Sequence, residues 1–266
     1  MANFHMDQAD GLRRMLAEPK PRIVTLLSTL GVAEKNVMLT NLTATLAHVG
    51  SDTILVDARY FDGVGIHLNL ASKNGLLEVA RETCLLSEVI TSVPQGFSVV
   101  AMSGERVTSV RENATENQRL SKVFTVLAQQ YGTMLVDAEL DKNDRLPVTV
   151  LDDGMIGIHI TGGAESIKAG YCLIKRLNAT LGRRSFGILV THSEEDQARL
   201  VYANLAKTAS RYLAVSLYFM GSIPSDDHLS RAAGLGRSVI DAFPMATASV
   251  AFRRIAGQLG SGLVNG

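Results

Sequence analysis

Short apolar segments, rich in β-branched residues, alternate along the chain with longer segments of helical periodicity. The apolar segments lack a polar face, which is typical of strands covered on both sides of a sheet. The predicted strands lie at residues 22–28, 53–57, 97–101, 133–137, 156–161, 186–191 and 217–221, and the predicted helices lie at about 36–49, 75–90, 117–131, 166–181 and 194–212. Strands separated by helices predict right-handed βαβ units. We therefore expect an α/β fold, with a doubly wound, mainly parallel sheet and helices on both faces.

The segment before the first strand differs from the rest of the chain. Residues 17–22 (AEPKPR) contain two prolines among mixed charges, which favours a hinge. We therefore divide the chain into an N-terminal peptide (1–16), this hinge (17–22), one folded domain (23–259) and a tail (260–266) that we expect to be flexible.

Composition and charge narrow the classes of function. The chain has 266 residues, and its 26 basic and 26 acidic residues give a formal net charge of zero. This balance gives no electrostatic reason to expect a nucleic acid as partner. Cys84 and Cys172 fit neither a disulfide framework nor a zinc site, and we expect both to be buried. No apolar run has the length of a membrane span or opens the chain as a signal peptide, so we expect a cytoplasmic protein.

The first strand-to-helix turn, residues 28–36 (STLGVAEKN), has the position and length of a phosphate-binding loop. In the motif G-x-x-x-x-G-K-[ST], the glycines allow close backbone approach, the lysine reaches the phosphates and the hydroxyl binds magnesium. Here Thr29 and Glu34 replace the two glycines, and Lys35 is the one defining position that remains. Asn36 replaces the hydroxyl residue. The turn predicts a P-loop NTPase-like fold with a degenerate nucleotide site.

Glu34 is the replacement with the largest electrostatic effect. A carboxylate about 4 Å from a phosphate charge costs about 4 kcal/mol at an effective dielectric constant of 20. A negative charge also suits the helix N-terminus at which a P-loop binds phosphate. One hypothesis is that Glu34 takes the place of the nucleotide anion; the alternative is that its side chain points to solvent.

Two predicted strands end on aspartates, Asp57 and Asp137. In P-loop proteins such residues orient water or hold magnesium through a second shell of ligands. A strand-end aspartate also commonly caps a turn or a helix. In the absence of nucleotide, we expect Lys35 to pair with one of the two.

An N-terminal segment carries the most specific resemblance to a known family. Residues 7–14 (DQADGLRR) resemble the DQAxxLR segment of the flagellar-number regulators FlhG, FleN and YlxH, which belong to the MinD/ParA class of P-loop ATPases. In that group the segment binds and activates a signal-recognition-type GTPase, FlhF. The resemblance implies the same class of partner here, and it also implies flagellar basal-body or transcription-regulator proteins as further partners. The partner-binding residues that it implies are Asp7, Gln8, Ala9, Leu12 and Arg13.

The resemblance extends along nearly the whole chain, and it implies ATP and Mg²⁺ as cofactors. The implied nucleotide-binding residues are Gly31, Lys35, Asn36 and Asp137, and Asp57 stands at the ancestral catalytic position. Further positions depart from the family pattern. Leu30 replaces the lysine that crosses the ATP-bound dimer interface, Arg59 replaces an acid, and Thr191 replaces an asparagine that contacts the adenine. These departures predict weak or absent ATP hydrolysis.

Members of the family that the chain resembles often carry a C-terminal amphipathic helix that docks on membranes. In residues 243–259 the apolar stripe is imperfect, with Val250, Phe252, Ile255 and Leu259 beside two arginines. We expect this segment to be the last packing helix of the domain, and membrane contact at the cell pole or inner membrane has weaker support.

Three functions agree with these observations. The first is a regulator of flagellar number that acts through its N-terminal peptide. The second is a slow ATPase that still binds nucleotide through Lys35, Asn36, Asp57 and Asp137. The third is a pseudo-ATPase that serves another bacterial system, such as cellulose secretion or polar organisation.

Overall fold

The computed structural model describes residues 22–59, 63–68, 74–103 and 110–261, and this part of the chain folds into eight strands with helices between them. The strands are β1 Arg22–Ser28, β2 Thr53–Ala58, β3 Thr91–Ser92, β4 Ser98–Ala101, β5 Thr133–Ala138, β6 Met155–Thr161, β7 Phe186–Thr191 and β8 Leu217–Ile223. The α-helices are α1 Val32–His48, α2 Val64–His67, α3 Leu76–Ala80, α4 Leu86–Val89, α5 Ala114–Gln130, α6 Ala164–Leu181, α7 Glu195–Leu213, α8 Asp227–Gly234, α9 Val239–Ala242 and α10 Thr247–Ser261. Short 3₁₀ turns lie at Val110–Glu112 and Thr149–Asp152.

The strands form one sheet in the order β3-β4-β2-β5-β1-β6-β7-β8. Every neighbouring pair is parallel except β3 and β4, which are antiparallel. All seven predicted strands are present, and the expected doubly wound α/β fold is confirmed. The short edge strand β3 was not predicted, because its two exposed residues carry no apolar signal.

Successive residues of the central strands contribute to two separate cores, one on each face of the sheet. Leu26 packs with Leu39 of α1 and Phe252 of α10, whereas its neighbour Leu27 packs in the core that contains Phe124 of α5. This alternation follows from the period of two in a β-strand. Because both faces are covered, the strands show the uniformly apolar pattern from which they were predicted.

The predicted helix at residues 75–90 is wrong as a single element. The chain instead forms α3 and α4, joined by a turn in which Glu82 has a φ of 63°. Leu77 of α3 and Val89 of α4 still pack in one core. Because the apolar residues of both helices are buried in this core, their spacing in the sequence resembles that of one longer helix. The prediction of two buried cysteines is also wrong, because Cys84 is half-buried and Cys172 is exposed.

The two ends of the described chain are joined by one side chain. The guanidinium of Arg22 donates hydrogen bonds to the carbonyls of Leu259 and Gly260 at the C-terminal end of α10. Arg22, which the predicted strand and the predicted hinge both included, is the first residue of β1, and α10 continues to Ser261. The rest of the N-terminal peptide and hinge, residues 1–21, lies outside the described residues.

The helix α10 is the packing helix that we expected. Phe252, Ile255 and Leu259 are buried against α1 and β8, whereas Val250 is exposed. Among the described residues, no helix is both long and apolar enough to cross a membrane.

Candidate functional site

The turn between β1 and α1 is much shorter than the predicted phosphate loop. Only residues 29–31 separate the strand from the helix, because α1 begins at Val32. The amide of Lys35 donates to the carbonyl of Gly31 at 3.1 Å, so residues that a P-loop leaves open are wound into the first helical turn. The loss of glycine explains this difference, since Ala33 and Glu34 favour a helix more than glycine does.

Lys35 and Asp137 form an ion pair inside the protein. The ammonium of Lys35 contacts Oδ2 of Asp137, and the two residues are 4% and 0% exposed. The expectation that Lys35 pairs with a strand-end aspartate is therefore confirmed. Burial lowers the pKa of Lys35, and the negative charge of Asp137 opposes this shift. Burial also raises the pKa of Asp137 to about 6, although Lys35 opposes that shift.

The second strand-end aspartate, Asp57, lies directly opposite Asp137 across β2 and β5. Its carboxylate accepts hydrogen bonds from the amide of Gly65 at 2.9 Å and from the amide of Arg59 at 3.4 Å. A Cβ atom on Gly63 would lie 1.9 Å from this carboxylate, so a larger residue there would displace it. Burial raises the pKa of Asp57, and these amides partly offset the shift. Two backbone amides thus donate to the carboxylate of Asp57.

Two buried oxygens near this pair have no hydrogen-bond partner among the described residues. They are Oδ1 of Asn36, at the position of the magnesium-binding hydroxyl, and Oδ1 of Asp137. An amide or carboxylate oxygen is a ligand type that Mg²⁺ accepts. These atoms are the feature of the site that suits a metal ion.

Hydrogen-bonded side chains join the short turn to the neighbouring strands. His159 of β6 is fully buried; its Nδ1 lies 2.9 Å from Oγ of Ser28, and its Nε2 lies 2.9 Å from Oγ1 of Thr191. Thr29 is bound through its hydroxyl to Ser166 of α6 at 2.6 Å. Burial lowers the pKa of His159 to about 3, so the imidazole is neutral at physiological pH.

Two of the turn's amides are also engaged in this network. The amide of Thr29 donates to the carbonyl of His159 at 3.0 Å, and the amide of Leu30 donates to Oγ of Ser28 at 3.1 Å. Backbone amides are the groups with which a P-loop holds phosphate. The turn therefore presents fewer open amides than a loop built to hold phosphate.

Glu34 faces the end of β7 rather than its own turn. Its side chain is 54% exposed, and Oε1 lies 3.5 Å from Nε2 of His192. Among the described residues it makes no hydrogen bond to the turn. The geometry agrees with the alternative in which Glu34 points outward, and it does not agree with a carboxylate that fills the phosphate position.

A cleft of about 390 Å³ opens beside Glu34, between α1 and the segment that follows β8. Asp226 lies in its wall and caps two helices. Its carboxylate accepts from the amide of His228 in α8 and from the amide and hydroxyl at the start of α10, Ala248 and Thr247. Burial raises the pKa of Asp226, but these hydrogen bonds lower it by a larger amount. The pKa of Asp226 therefore lies well below its ordinary value.

Solved structures of MinD and ParA ATPases have a similar fold. The MinD protein of Pyrococcus horikoshii in complex with Mg-ADP has a TM-score of 0.65 and 16% identity, over 91% of this chain and 97% of its own. A ParA family ATPase of Chlorobium tepidum also has a TM-score of 0.65 and 16% identity, over 89% of this chain and 98% of its own. At this level of identity, the likeness shows the fold.

The amino-acid sequence matches no family model. It is 29% identical over 234 residues to the antiactivator FleN of Pseudomonas aeruginosa, an alignment that covers 87% of this chain and 83% of FleN. The chain is similar in sequence to FleN and has the fold of MinD and ParA ATPases. The resemblance to FleN and to MinD/ParA ATPases that we inferred from the sequence is therefore confirmed.

The predicted nucleotide residues do come together at the carboxyl ends of the strands. Gly31 is the N-cap of α1, and Lys35 and Asn36 are buried in its first turns. Asp57 and Asp137 end neighbouring strands. The predicted partner-binding residues lie outside the described residues, and they are Asp7, Gln8, Ala9, Leu12 and Arg13.

Proposed function

We propose that this protein regulates flagellar number or placement by binding other proteins, with weak or no ATP hydrolysis. Its similarity to FleN supports a role as an antiactivator, a protein that opposes an activator. The single observation that best supports weak or absent ATP hydrolysis is the buried ion pair of Lys35 and Asp137. In a P-loop this lysine is directed at the β- and γ-phosphates.

The residues of the site fit a magnesium nucleotide poorly. Lys35 is committed to Asp137, and the amides of Thr29 and Leu30 already have acceptors. The carboxylate of Glu34 points outward, toward His192, so it supplies no ligand to a nucleotide. Among the predicted nucleotide residues, Asn36 and Asp137 each have one buried oxygen without a hydrogen-bond partner in the described part of the chain. We therefore assign no step of the mechanism to ATP.

The partner that we propose is a signal-recognition-type GTPase of the FlhF kind, contacted by the N-terminal peptide. The proposal rests on the resemblance of residues 7–14 to the DQAxxLR segment. Leu12, Met15 and Leu16 give the peptide a small apolar stripe that a partner's groove can accept. A short peptide loses about 1–2 kcal/mol of backbone entropy per ordered residue, so single side chains at the contact must matter.

A GTPase assay with a synthetic peptide of residues 1–17 tests this partner. The native peptide should stimulate GTP hydrolysis by an FlhF-like protein, Gln8→Ala should reduce the stimulation, and Leu12→Asp should abolish binding. A peptide with Asn3→Ala is the matched control, because this residue precedes the motif. Equal stimulation by the native and the Gln8→Ala/Leu12→Asp peptides would contradict the proposal, as would no stimulation by the native peptide.

A slow ATPase is the second candidate function. The observation that favours it is the buried, unpartnered Oδ1 of Asn36, which stands where a magnesium ligand is expected. ATP turnover that is lost on Lys35→Ala would support it over a regulator without hydrolysis. Stimulation of a different partner, in secretion or polar organisation, would support the third function. We propose a cytoplasmic location, with recruitment to the cell pole through the partner.

A further inference from the structure

A cleft of about 390 Å³ opens at the end of the sheet opposite to the predicted nucleotide residues. This space, the β2/β4 cleft, lies where β2 and β4 begin, beside the C-terminal ends of α1 and α5. Thr53 lines it, whereas Asp57 stands near the other end of the same strand, so the two sites are separate. The apolar side chains that line the cleft are Ala47, Val93, Phe97 and Tyr131.

The polar groups of the β2/β4 cleft leave one charge without a partner. The hydroxyl of Thr53 donates to the carbonyl of Ser51 at 2.9 Å, and Oγ of Ser51 lies 3.0 Å from Oγ1 of Thr133. Asp52 is exposed, and within the described part of the chain its carboxylate has no hydrogen bond or ion pair. It is also the single charged residue among the described residues that line the cleft. The cleft therefore suits apolar side chains that have a cation next to them.

The described chain begins beside this cleft. The amide of Arg22 donates to the carbonyl of Gly132 at 3.4 Å, and its guanidinium is held by the end of α10. Arg22 pairs with Thr133, and Thr133 pairs with Thr53 on the next strand. Two strand spacings, or about 10 Å, therefore separate Arg22 from Thr53. The first residue of β1 thus has a fixed position close to the wall of the cleft.

The segment that precedes Arg22 is long enough to enter the cleft. An extended chain covers about 3.3 Å per residue, so the residues from Leu16 to Arg22 span up to about 20 Å. A segment tethered through so few residues reaches an effective concentration of about millimolar. The apolar part of the chain's own N-terminal peptide therefore has an advantage over a free peptide of the same sequence.

We propose that the β2/β4 cleft holds the apolar stripe of the N-terminal peptide, Leu12, Met15 and Leu16, while no partner is bound. The apolar wall of the cleft takes these side chains. The two arginines between Leu12 and Met15 carry the charge that complements Asp52.

This inference rests on the proposed function, in which the same stripe contacts a partner GTPase. Docking competes with partner binding, since one apolar stripe cannot fill two grooves. Burial of one apolar side chain favours the docked state about tenfold. The full-length protein should therefore bind the GTPase about tenfold more weakly than the free peptide does, because only the undocked fraction is able to bind.

A tryptophan in the stripe reports on docking without any partner. The chain contains no tryptophan, so Met15→Trp introduces a single fluorophore. Acrylamide should quench its emission several-fold less in the full-length protein than in a synthetic peptide of residues 1–17 with the same change. Equal quenching in the two would overturn the proposal. Protection that disappears on dilution would assign the cleft to the peptide of a second copy, and this result would also overturn it.

Substitutions in β3 locate the docked peptide. Ser92 lines the cleft, so Ser92→Phe places a ring in it, and quenching of the Met15→Trp fluorophore should rise to the level of the free peptide. Thr91→Phe is the matched control, because Thr91 is also exposed and its side chain leaves the strand on the opposite face. Circular dichroism checks that both variants are folded. Unchanged protection in Ser92→Phe, or an equal loss in both variants, would overturn the assignment to this cleft.

A charge reversal tests the same contact without filling the cleft. Asp52 is exposed and precedes β2, so Asp52→Lys keeps the strand intact and should increase quenching by repelling the two arginines. Asp153→Lys is the control, because this exposed residue precedes β6 and does not line the cleft. Equal quenching in these two variants would contradict the proposed contact with Asp52.

A GTPase assay separates this inference from the proposed function. With an FlhF-like GTPase, Ser92→Phe should raise the apparent affinity of the full-length protein about tenfold, to that of the free peptide, and Thr91→Phe should not. A protected tryptophan without stimulation by the free peptide would contradict the proposed function alone. Stimulation by the free peptide with an unprotected tryptophan would overturn this inference alone. A lower affinity of Ser92→Phe than of the wild type would make the cleft part of the partner interface, and it would also overturn the inference.

Discussion

The ammonium of Lys35 is paired with the carboxylate of Asp137, and both groups are buried beneath the first turn of α1. The lysine comes from the phosphate-loop position, and the aspartate comes from the end of a neighbouring strand. This pairing neutralises inside the protein the two groups that a P-loop ATPase directs at phosphate and magnesium. It is the structural basis for our account of the protein as a regulator without hydrolysis.

Removal of one member of this pair should destabilise the fold strongly. Asp137→Asn leaves Lys35 buried without a counter-charge, and we expect a loss of about 3–5 kcal/mol in the free energy of unfolding. The apolar double variant Lys35→Met/Asp137→Leu should lose less than this single variant, because no charge remains buried. Urea denaturation monitored by circular dichroism measures both. A double variant less stable than Asp137→Asn would contradict the assignment.

The neutral state of His159 should make the protein sensitive to mild acid. Its pKa of about 3 in the folded state is below the ordinary value of 6.5. The unfolded chain therefore takes up the proton first, so this contribution to stability is complete above about pH 6.5 and is lost as pH falls. Relative to His159→Gln, the wild type should lose about 1.4 kcal/mol per pH unit between about pH 6 and 4. A pH-independent difference in unfolding free energy would show that His159 is not held neutral.

The polar network around His159 shows what sequence patterns do and do not reveal. The strands were predictable because burial on both faces leaves a continuous apolar signal, as in residues 186–191. His159 has no neighbour at metal-ligand spacing, and its partners Ser28 and Thr191 are distant in sequence. The available signal was a single polar residue inside an apolar strand, but only the strand order brings the three side chains together.

Asp226 should stabilise the packing of α8 and α10 through its caps. We expect Asp226→Ala to lower the free energy of unfolding by about 2 kcal/mol at pH 7, the upper range for a helix cap. Asp227→Ala, at the exposed neighbouring position, should change it by less than about 0.5 kcal/mol. Because the pKa of Asp226 is lowered in the folded state, its contribution is present above the ordinary value of 3.8. The difference between wild type and Asp226→Ala should therefore shrink as pH falls below about 4.

Thermal unfolding at a series of pH values measures this cap. The comparison of Asp226→Ala with Asp227→Ala separates the cap from a general effect of removing one negative charge. An equal loss of stability in the two variants would contradict the assigned role of Asp226.

ATP should not convert the protein into a dimer. Leu30 stands where the family has a lysine that crosses the ATP-bound interface, and a leucine cannot neutralise phosphate charge. Light scattering at high protein concentration should give the same mass with and without Mg·ATP. A mass that doubles only in the presence of Mg·ATP would count against this prediction.

The pairing of Lys35 was foreseen from the sequence, whereas the shape of the turn was not. A buried lysine needs a counter-charge, and the strand-end aspartates were the nearest candidates along the predicted sheet edge. The start of α1 at Val32 depends on the balance between helix propensity and a phosphate-binding conformation, which a motif does not show. The outward direction of Glu34 depends on His192, which is far away in sequence.

The most direct test is a calorimetric titration of the full-length protein with Mg·ATP. We predict no saturable binding by the wild type, because Lys35 is held by Asp137 and the amides of Thr29 and Leu30 already have acceptors. Glu34→Gly should improve the affinity for ATP more than Asn36→Thr does, since it removes a negative charge and favours an open turn. Tight binding of Mg·ATP by the wild type, abolished by Lys35→Ala, would contradict the central claim.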